Sequence, residues 1–268
     1  MPITVVFILS AKHSGSTWLN LVLGSLGWTV NLGEYYRPFL LDSPVACRLC
    51  QADGLPDCSL LHGIGEVRVE DAFHFAAQRS DRSVIIDSSK SLDWTERFLG
   101  REDIDVRLVH LIRHPAGVAE SIVRRDPTYP LDKIIRNWRE ENRRIEAFTA
   151  AASAPGRQVA YESLTEAPDA HFPDLCGFIG GPWNAAAIRY WETPHHGMGG
   201  NGANSVYLKG REVRTYSTFD DAFYADIDKR PLAADSRWKA RFSSEDQARF
   251  VADAYFQEVK ARLSPVGW

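Results

Sequence analysis

The chain of 268 residues lacks the features that mark several large classes of protein. Its four cysteines are too few for the disulfide framework of a secreted domain. With 31 basic and 35 acidic residues, it has no overall positive charge that could hold nucleic acid or an anionic membrane. The apolar run at 3–9 is too short to span a bilayer and follows no charged segment typical of a signal peptide. We therefore expect a cytoplasmic protein with no nucleic-acid partner and no membrane insertion, in which a local site holds any anion.

Hydrophobic residues make up 44% of the chain, and their spacing alternates between the strand and helix patterns. Short continuous runs, typical of strands buried on both faces, lie at 3–9, 28–32, 83–87, 106–112 and 157–161. Helical spacing lies at 16–26, 131–148 and 250–263. This alternation predicts a single α/β domain over 1–268, with a mostly parallel sheet flanked by helices in three layers.

The turn between the first strand and the first helix has the composition of an anion site. It consists of Lys12, His13, Ser14, Gly15, Ser16, Thr17 and Trp18. Backbone N–H groups, hydroxyls and the positive end of a helix dipole would converge there, and Gly15 permits a tight turn. A kinase-type loop needs Gly-Lys-Ser/Thr, but Ser16 follows Gly15. The alternative is an ordinary turn in which Ser14 caps the helix.

A second group of polar residues follows the strand at 106–112. Arg113 lies at the end of this strand, and Pro115 is well placed in the first turn of a helix. Ser121 and Arg125 are four residues apart and share one face of that helix. Ligands of parallel sheets bind at this carboxyl edge, so the pattern predicts a second phosphate site. A solvated basic helix is the alternative.

Two phosphate sites at the ends of two strands fit a nucleotide that is phosphorylated at both ends of its ribose. On these residues the chain resembles the sulfotransferases that use 3′-phosphoadenosine 5′-phosphosulfate (PAPS) and release 3′,5′-adenosine bisphosphate (PAP). The resemblance implies a fold like that of P-loop NTPases. The segment 14–19 is similar to their 5′-phosphosulfate loop, and Arg113 with Ser121 is similar to their 3′-phosphate motif. Because the helix also carries Arg125, we expect that cation to contribute to the second site.

Further similarities occur in the same order over about residues 3–240. Tyr161 resembles a cofactor-contacting tyrosine at the end of a strand. Gly200 and Asn201 resemble part of the cofactor-covering loop of bacterial and Golgi-type members. Many bacterial and tyrosylprotein members have Arg before Ser-Gly, where this chain has His13, so either Lys12 or His13 is left to contact the sulfonate.

The resemblance also implies catalytic residues. The sequence Gly-Glu-Tyr-Tyr-Arg at 33–37 is similar to the Gly-Glu-x-x-Arg element of tyrosylprotein sulfotransferases, in which the glutamate is the base. Glu34 is therefore the expected base. Asp-Ser-Ser-Lys at 87–90 implies that Lys90 stabilises the leaving phosphate. Without the resemblance, Glu34 would be an ordinary surface carboxylate and Lys90 an exposed lysine. The alternative candidates for the base are His110, His114, His195 and His196.

Three of the four cysteines lie close together in the sequence Cys47-x2-Cys50-x7-Cys58-x3-His62. The first pair, Cys47 and Cys50, has the spacing of a zinc knuckle, and a structural zinc held by the four residues is the hypothesis that follows. Reduced thiols, or a Cys–Cys pair without metal, are the alternatives. We expect no metal in the reaction, because the sequence contains no evident carboxylate pair for a magnesium nucleotide.

Together these features predict an enzyme that transfers a sulfonate from PAPS to a hydroxyl of a glycan, a metabolite or a tyrosine, with Glu34 as base. A nucleotide-dependent small-molecule kinase is one alternative. A non-catalytic sensor that binds PAP is the other.

Overall fold

The computed structural model describes residues 2–41, 47, 50, 57–200, 234–265 and 267–268. Their centre is a sheet of five parallel strands in the order β2-β3-β1-β4-β5. The strands are β1 (Ile3–Leu9), β2 (Thr29–Gly33), β3 (Val84–Asp87), β4 (Ile104–Ile112) and β5 (Gly156–Ala160). The five predicted strands are therefore confirmed, with ends that differ by one or two residues.

Helices connect the strands and continue beyond them. In chain order they are α1 (Ser16–Gly24), α2 (Arg37–Leu40), α3 (Ala72–Ser80), α4 (Leu92–Glu96), α5 (Pro115–Val123), α6 (Leu131–Ala151), α7 (Tyr161–Glu166), α8 (Pro168–Ile179), α9 (Trp238–Arg241), α10 (Ser244–Val251) and α11 (Ala254–Leu263). Among the described residues, no helix is both long enough and apolar enough to cross a membrane.

The central strand β1 explains why the sheet needs cover on both faces. Its alternate side chains enter two separate apolar cores: Val5 and Phe7 pack with α3, and Val6 and Ile8 pack with α1. All four side chains are buried. Because neither face of β1 meets water, its sequence is a nearly continuous apolar run. Helices cover both faces of the sheet, so the predicted three-layer α/β fold is confirmed.

The direction of the connections fixes where a ligand can bind. From β1 the chain crosses to β2 at one edge of the sheet, whereas from β4 it continues to β5 at the other edge. The order therefore reverses between β1 and β4, which are neighbours paired from Ile3 to Leu9. A crevice opens beyond the carboxyl ends of strands at such a switch point.

The C-terminal segment differs from the predicted single helix over 250–263. It forms two helices, α10 and α11, separated at Asp253. The carboxylate of Asp253 accepts hydrogen bonds from the backbone N–H groups of Tyr255 and Phe256 and lies 2.6 Å from Arg139 Nη1. An Asp cap begins a new helix, and apolar spacing by itself does not reveal this interruption.

Candidate active site

The loop between β1 and α1 is held by a glycine in a left-handed conformation. Gly15 has a φ of 95° and lies directly before the first residue of α1, whose Leu19 N donates to Gly15 O at 3.0 Å. A Cβ at Gly15 would lie 2.7 Å from Tyr161 Cδ2. Both the backbone angle and the close tyrosine therefore require glycine. Ser14 makes no capping bond to α1, so the alternative of an ordinary Ser14 cap is wrong.

Two hydroxyls in this loop have no hydrogen-bond partner among the described residues. They belong to Ser10 and Ser14, which are both buried. A buried hydroxyl without a partner costs free energy unless a ligand or water satisfies it. Ser16 and Thr17, in the first turn of α1, are buried as well. The loop therefore presents several donors that an anion would satisfy.

A cleft of about 650 Å³ opens beside the loop. It brings together predicted residues from separate parts of the chain. Those that line it are Lys12, His13, Gly15, Ser16, Thr17, Glu34, Lys90, Arg125 and Gly200. Asn201, predicted beside Gly200, lies outside the described residues.

Glu34 follows β2 directly and lies between two cations. Its Oε1 accepts a hydrogen bond from Lys90 Nζ at 3.1 Å, and its Oε2 accepts one from Arg37 Nε at 2.8 Å. Burial raises the pKa of Glu34, but the charges of Lys90 and Arg37 outweigh burial and hold the pKa below its ordinary value. The carboxylate is therefore ionised at neutral pH and able to accept a proton.

Backbone contacts at the end of β2 position Glu34. The preceding Gly33 has a φ of 69°, and a Cβ there would lie 2.3 Å from Met198 O. Glu34 N donates to Met198 O at 2.7 Å, and Ser88 N donates to Gly33 O at 2.8 Å. The loop after β3 and the segment around Met198 thus hold the carboxylate from two sides.

The loop after β3 is anchored by the fully buried Asp87. Its Oδ1 accepts a hydrogen bond from Ser89 N at 2.6 Å, and its Oδ2 accepts one from Trp94 Nε1 at 3.0 Å. Burial outweighs these bonds and raises the pKa of Asp87 to about 6. Next in the loop, Lys90 has a φ of 60°, and its Nζ also donates to Ser88 O at 3.0 Å. This conformation returns the ammonium toward Glu34.

The second predicted anion site lies on α5 and the turn that follows it. Ser121 Oγ lies 3.1 Å from His13 Nδ1, and Arg125 Nη1 donates to the same nitrogen at 3.2 Å. His13 has a φ of 65°. The sequence left either Lys12 or His13 as the sulfonate contact, and in the structure the imidazole of His13 lies next to Ser121 and Arg125.

Arg113 supports the loop and does not line the cleft. It is 6% exposed; its Nη1 donates to His13 O at 3.0 Å, and its Nη2 donates to Asp235 Oδ2 at 3.1 Å. The guanidinium also lies 4.8 Å from the ring centre of Tyr161, which packs edge-to-face against Trp18. The structure therefore brings the predicted Arg113, Tyr161 and Trp18 together beside the loop between β1 and α1.

Three of the rival bases are buried away from the cleft. His110 Nε2 lies 3.0 Å from Asn142 Oδ1, and His195 Nδ1 lies 2.7 Å from Asn31 Oδ1. Burial lowers the pKa of His110 and of His195 to about 4, and that of His114 to about 3. None of the three lines the cleft; all three are buried in the protein interior.

The structure changes one of the four predicted metal ligands. His62 pairs with Asp57, and its side chain is 65% exposed. His196 instead brings its Nδ1 to 3.2 Å from Cys50 Sγ and 3.3 Å from Cys58 Sγ. The four ligand atoms that lie within 4.8 Å of one another belong to Cys47, Cys50, Cys58 and His196. The prediction that His62 joins the three thiols is therefore wrong.

Sequence reasoning missed several residues of the site. Arg37 is the last residue of the Gly-Glu-x-x-Arg element, and its position there was the available signal. Ser10 directly follows β1 and has no such motif of its own. Glu141 on α6 lines the cleft and accepts a hydrogen bond from Lys12 N at 3.1 Å. No local pattern could reveal Glu141, because it lies 129 residues beyond Lys12.

No model of a protein family matches this chain, and no curated protein sequence matches it significantly. Among solved structures, the sulfotransferase domain from the Synechococcus PCC 7002 olefin synthase is similar, with 20% identity, a TM-score of 0.50 and 94% of each chain covered. The sulfotransferase domain from the curacin biosynthetic pathway has 18% identity and a TM-score of 0.46, over 94% of this chain and 97% of that one. A mouse sulfotransferase complexed with PAP has 10% identity and a TM-score of 0.43, over 97% and 89%. The first likeness shows that this chain has the fold of a sulfotransferase domain.

Proposed function

We propose that the protein is a sulfotransferase that moves a sulfonate group from PAPS to a hydroxyl of a glycan, a metabolite or a tyrosine. The observation that carries this proposal is the shared cleft, which the loop at Gly15 and the ionised carboxylate of Glu34 both line. A site for phosphate next to a base fits transfer from a nucleotide to a hydroxyl. The fold and the order of the sequence motifs support the same activity.

The proposed reaction assigns roles to Glu34, Lys90 and Lys12. PAPS supplies the sulfonate. Glu34 takes the proton of the acceptor hydroxyl while the acceptor oxygen bonds to sulfur and the bond from sulfur to the phosphate oxygen breaks. Lys90 then turns from Glu34 to the departing phosphate oxygen, whose negative charge it stabilises. Lys12 is the candidate contact for the sulfonate, because Ser121 and Arg125 already engage the ring of His13.

The 3′-phosphate of the nucleotide belongs beside α5 in this proposal. Ser121 and Arg125 supply a hydroxyl and a guanidinium there, and His13 yields its present contacts with them to the phosphate. Arg113 acts through the loop, because its guanidinium is bonded to Asp235 and to the backbone of His13.

Calorimetric titration with PAP, ATP and adenosine 5′-phosphate tests the two anion sites. We expect micromolar binding of PAP and much weaker binding of the other two nucleotides. Arg125→Met should weaken the binding of PAP, whereas Arg124→Met, whose guanidinium is paired with Glu120, should leave it nearly unchanged. Equal or absent binding of all three nucleotides would overturn the proposal, and preferential binding of ATP would favour a kinase.

Glu34→Gln tests the base. Release of PAP from PAPS is followed with a panel of phenol, sugar and peptide-tyrosine acceptors. Turnover should fall by about 10² or more while the affinity for PAP is unchanged. Glu96→Gln is the matched control, since Glu96 is exposed and does not line the cleft. Near-normal turnover of Glu34→Gln would exclude Glu34 as base, and tight PAP binding without transfer to any acceptor would favour the sensor.

A further inference from the structure

Three thiols and one imidazole converge near the end of β2, which Glu34 directly follows. The sulfurs of Cys50 and Cys58 lie 3.2 and 3.3 Å from His196 Nδ1, and the sulfur of Cys47 completes a group that spans no more than 4.8 Å. The three cysteines are buried, and none of them forms a disulfide. A compact group of soft donors from separate parts of the chain is the arrangement that a metal ion holds together.

We propose that Cys47, Cys50, Cys58 and His196 bind a structural zinc ion. Zinc bonds of about 2.3 Å to sulfur and about 2.0–2.1 Å to nitrogen place the donors of a tetrahedral site roughly 3.5–3.8 Å apart. The observed separations lie around this range, so small side-chain movements close the site. A Cys₃His set fills all four positions of the metal with protein ligands, which fits a structural role and not a catalytic one.

The zinc would join two distant parts of the chain at the candidate active site. His196 lies two residues before Met198, whose backbone pairs with Gly33 and Glu34. The next residue, Gly199, lies so near that a Cβ there would be 2.5 Å from Glu34 Oε2. A metal that holds His196 to the three cysteines therefore fixes the segment that packs against the carboxylate. His196 is a positioning residue in this arrangement.

Metal analysis of the full chain, purified without a histidine tag and under reducing conditions, is the first test. We expect about one equivalent of zinc per chain after incubation with zinc and gel filtration. Less than about a tenth of an equivalent would overturn the proposal, because structural zinc sites bind tightly at neutral pH. The measurement uses no nucleotide, so its result is independent of the proposed sulfotransferase activity.

Matched variants test the identity of the ligands. His196→Ala and Cys58→Ala should lose the zinc, whereas His62→Ala and Cys176→Ala should keep it, because His62 pairs with Asp57 and Cys176 lies in the core on α8. Loss of zinc from His62→Ala but not from His196→Ala would overturn the assignment. Cobalt substitution of the wild-type chain avoids any failure of the variants to fold. Tetrahedral cobalt bands with a thiolate charge-transfer band support the site, and their absence would refute it.

Discussion

At the scale of single residues, burial raises the pKa of Glu34, and its charged neighbours lower it further than burial raises it. The carboxylate is partly buried, and burial alone would favour its neutral form. Lys90 and Arg37 each contact a different carboxylate oxygen. The proposed base is therefore kept ionised by the same lysine that is proposed to stabilise the leaving group.

The pH dependence of turnover tests this arrangement. A base must be deprotonated, so activity is lost as the pH falls through the pKa of Glu34, which lies below its ordinary value in the wild-type protein. Lys90→Met removes a cation while burial persists, and we expect the acidic limb of kcat/KM to move to higher pH. Arg144→Met is the control, since Arg144 lines the cleft but forms its ion pair with Asp93. An unchanged limb in Lys90→Met would contradict the coupling.

The backbone of Lys90 provides a second expectation. Its φ of 60° is unfavourable for any residue with a Cβ, by roughly 1–2 kcal/mol. Lys90→Gly and Lys90→Ala both remove the ammonium and should lose turnover to the same extent. In urea denaturation, the glycine variant should be the more stable of the two by about 1 kcal/mol, because only glycine adopts this angle freely. Equal stability would show that the angle carries no strain.

At the scale of elements, Gly117 in α5 leaves room for the side chain of Arg113, which contacts the loop between β1 and α1. A Cβ at Gly117 would lie 2.8 Å from Arg113 Nε. Arg113 in turn holds the backbone of His13 through its Nη1. A larger residue at position 117 would therefore displace Arg113 and, through it, the backbone of His13.

Alanine substitutions at two helix glycines test whether the space between Gly117 and Arg113 is needed. Gly117→Ala should destabilise the protein by about 1–3 kcal/mol through overpacking and weaken the binding of PAP. Gly177→Ala in α8 should stabilise the protein by up to about 1 kcal/mol, because a Cβ there meets no atom within 4 Å and alanine favours the helix. Urea denaturation measures both. A stabilising effect of Gly117→Ala would show that Arg113 moves aside at little cost.

At the scale of the whole molecule, buried histidines connect stability to pH. His110, His114 and His195 have pKa values of about 4, about 3 and about 4, well below the ordinary 6.5, because burial disfavours their charged forms. They stay neutral in the folded protein near pH 6.5, whereas the unfolded chain takes up protons there. Stability should therefore rise with pH across this range.

We expect the free energy of unfolding to fall as the pH is lowered from 7.5 to 6. At pH 6.5 the unfolded chain binds about 1.5 more protons at these three sites, which corresponds to about 2 kcal/mol per pH unit. As the pH approaches 6, Asp87, whose pKa burial raises to about 6, takes up a proton in the folded state and partly opposes the trend. Urea denaturation at several pH values measures the slope, and stability that is flat or increases on acidification would contradict the expectation.

The sequence by itself determined the strands of the sheet and the position of the glycine-containing loop between β1 and α1. Continuous apolar runs predicted the strands, because strands buried on both faces show no polar alternation. Gly15 and the hydroxyl residues around it predicted the strand-to-helix loop, because the conformation of a short turn depends on its own residues. These features are local, and local physical chemistry suffices to predict them.

Only the tertiary structure decided which distant side chains meet. His196 reaches Cys58 across 138 residues, where spacing along the chain had favoured His62, and Arg113 reaches Asp235 across 122 residues. Lys90 lies 56 residues beyond Glu34 and still donates to it. Such contacts depend on how the strands are ordered and on which backbone segments pair, as Met198 does with Gly33. Sequence spacing does not predict these contacts, because each depends on which segments the folded sheet brings side by side.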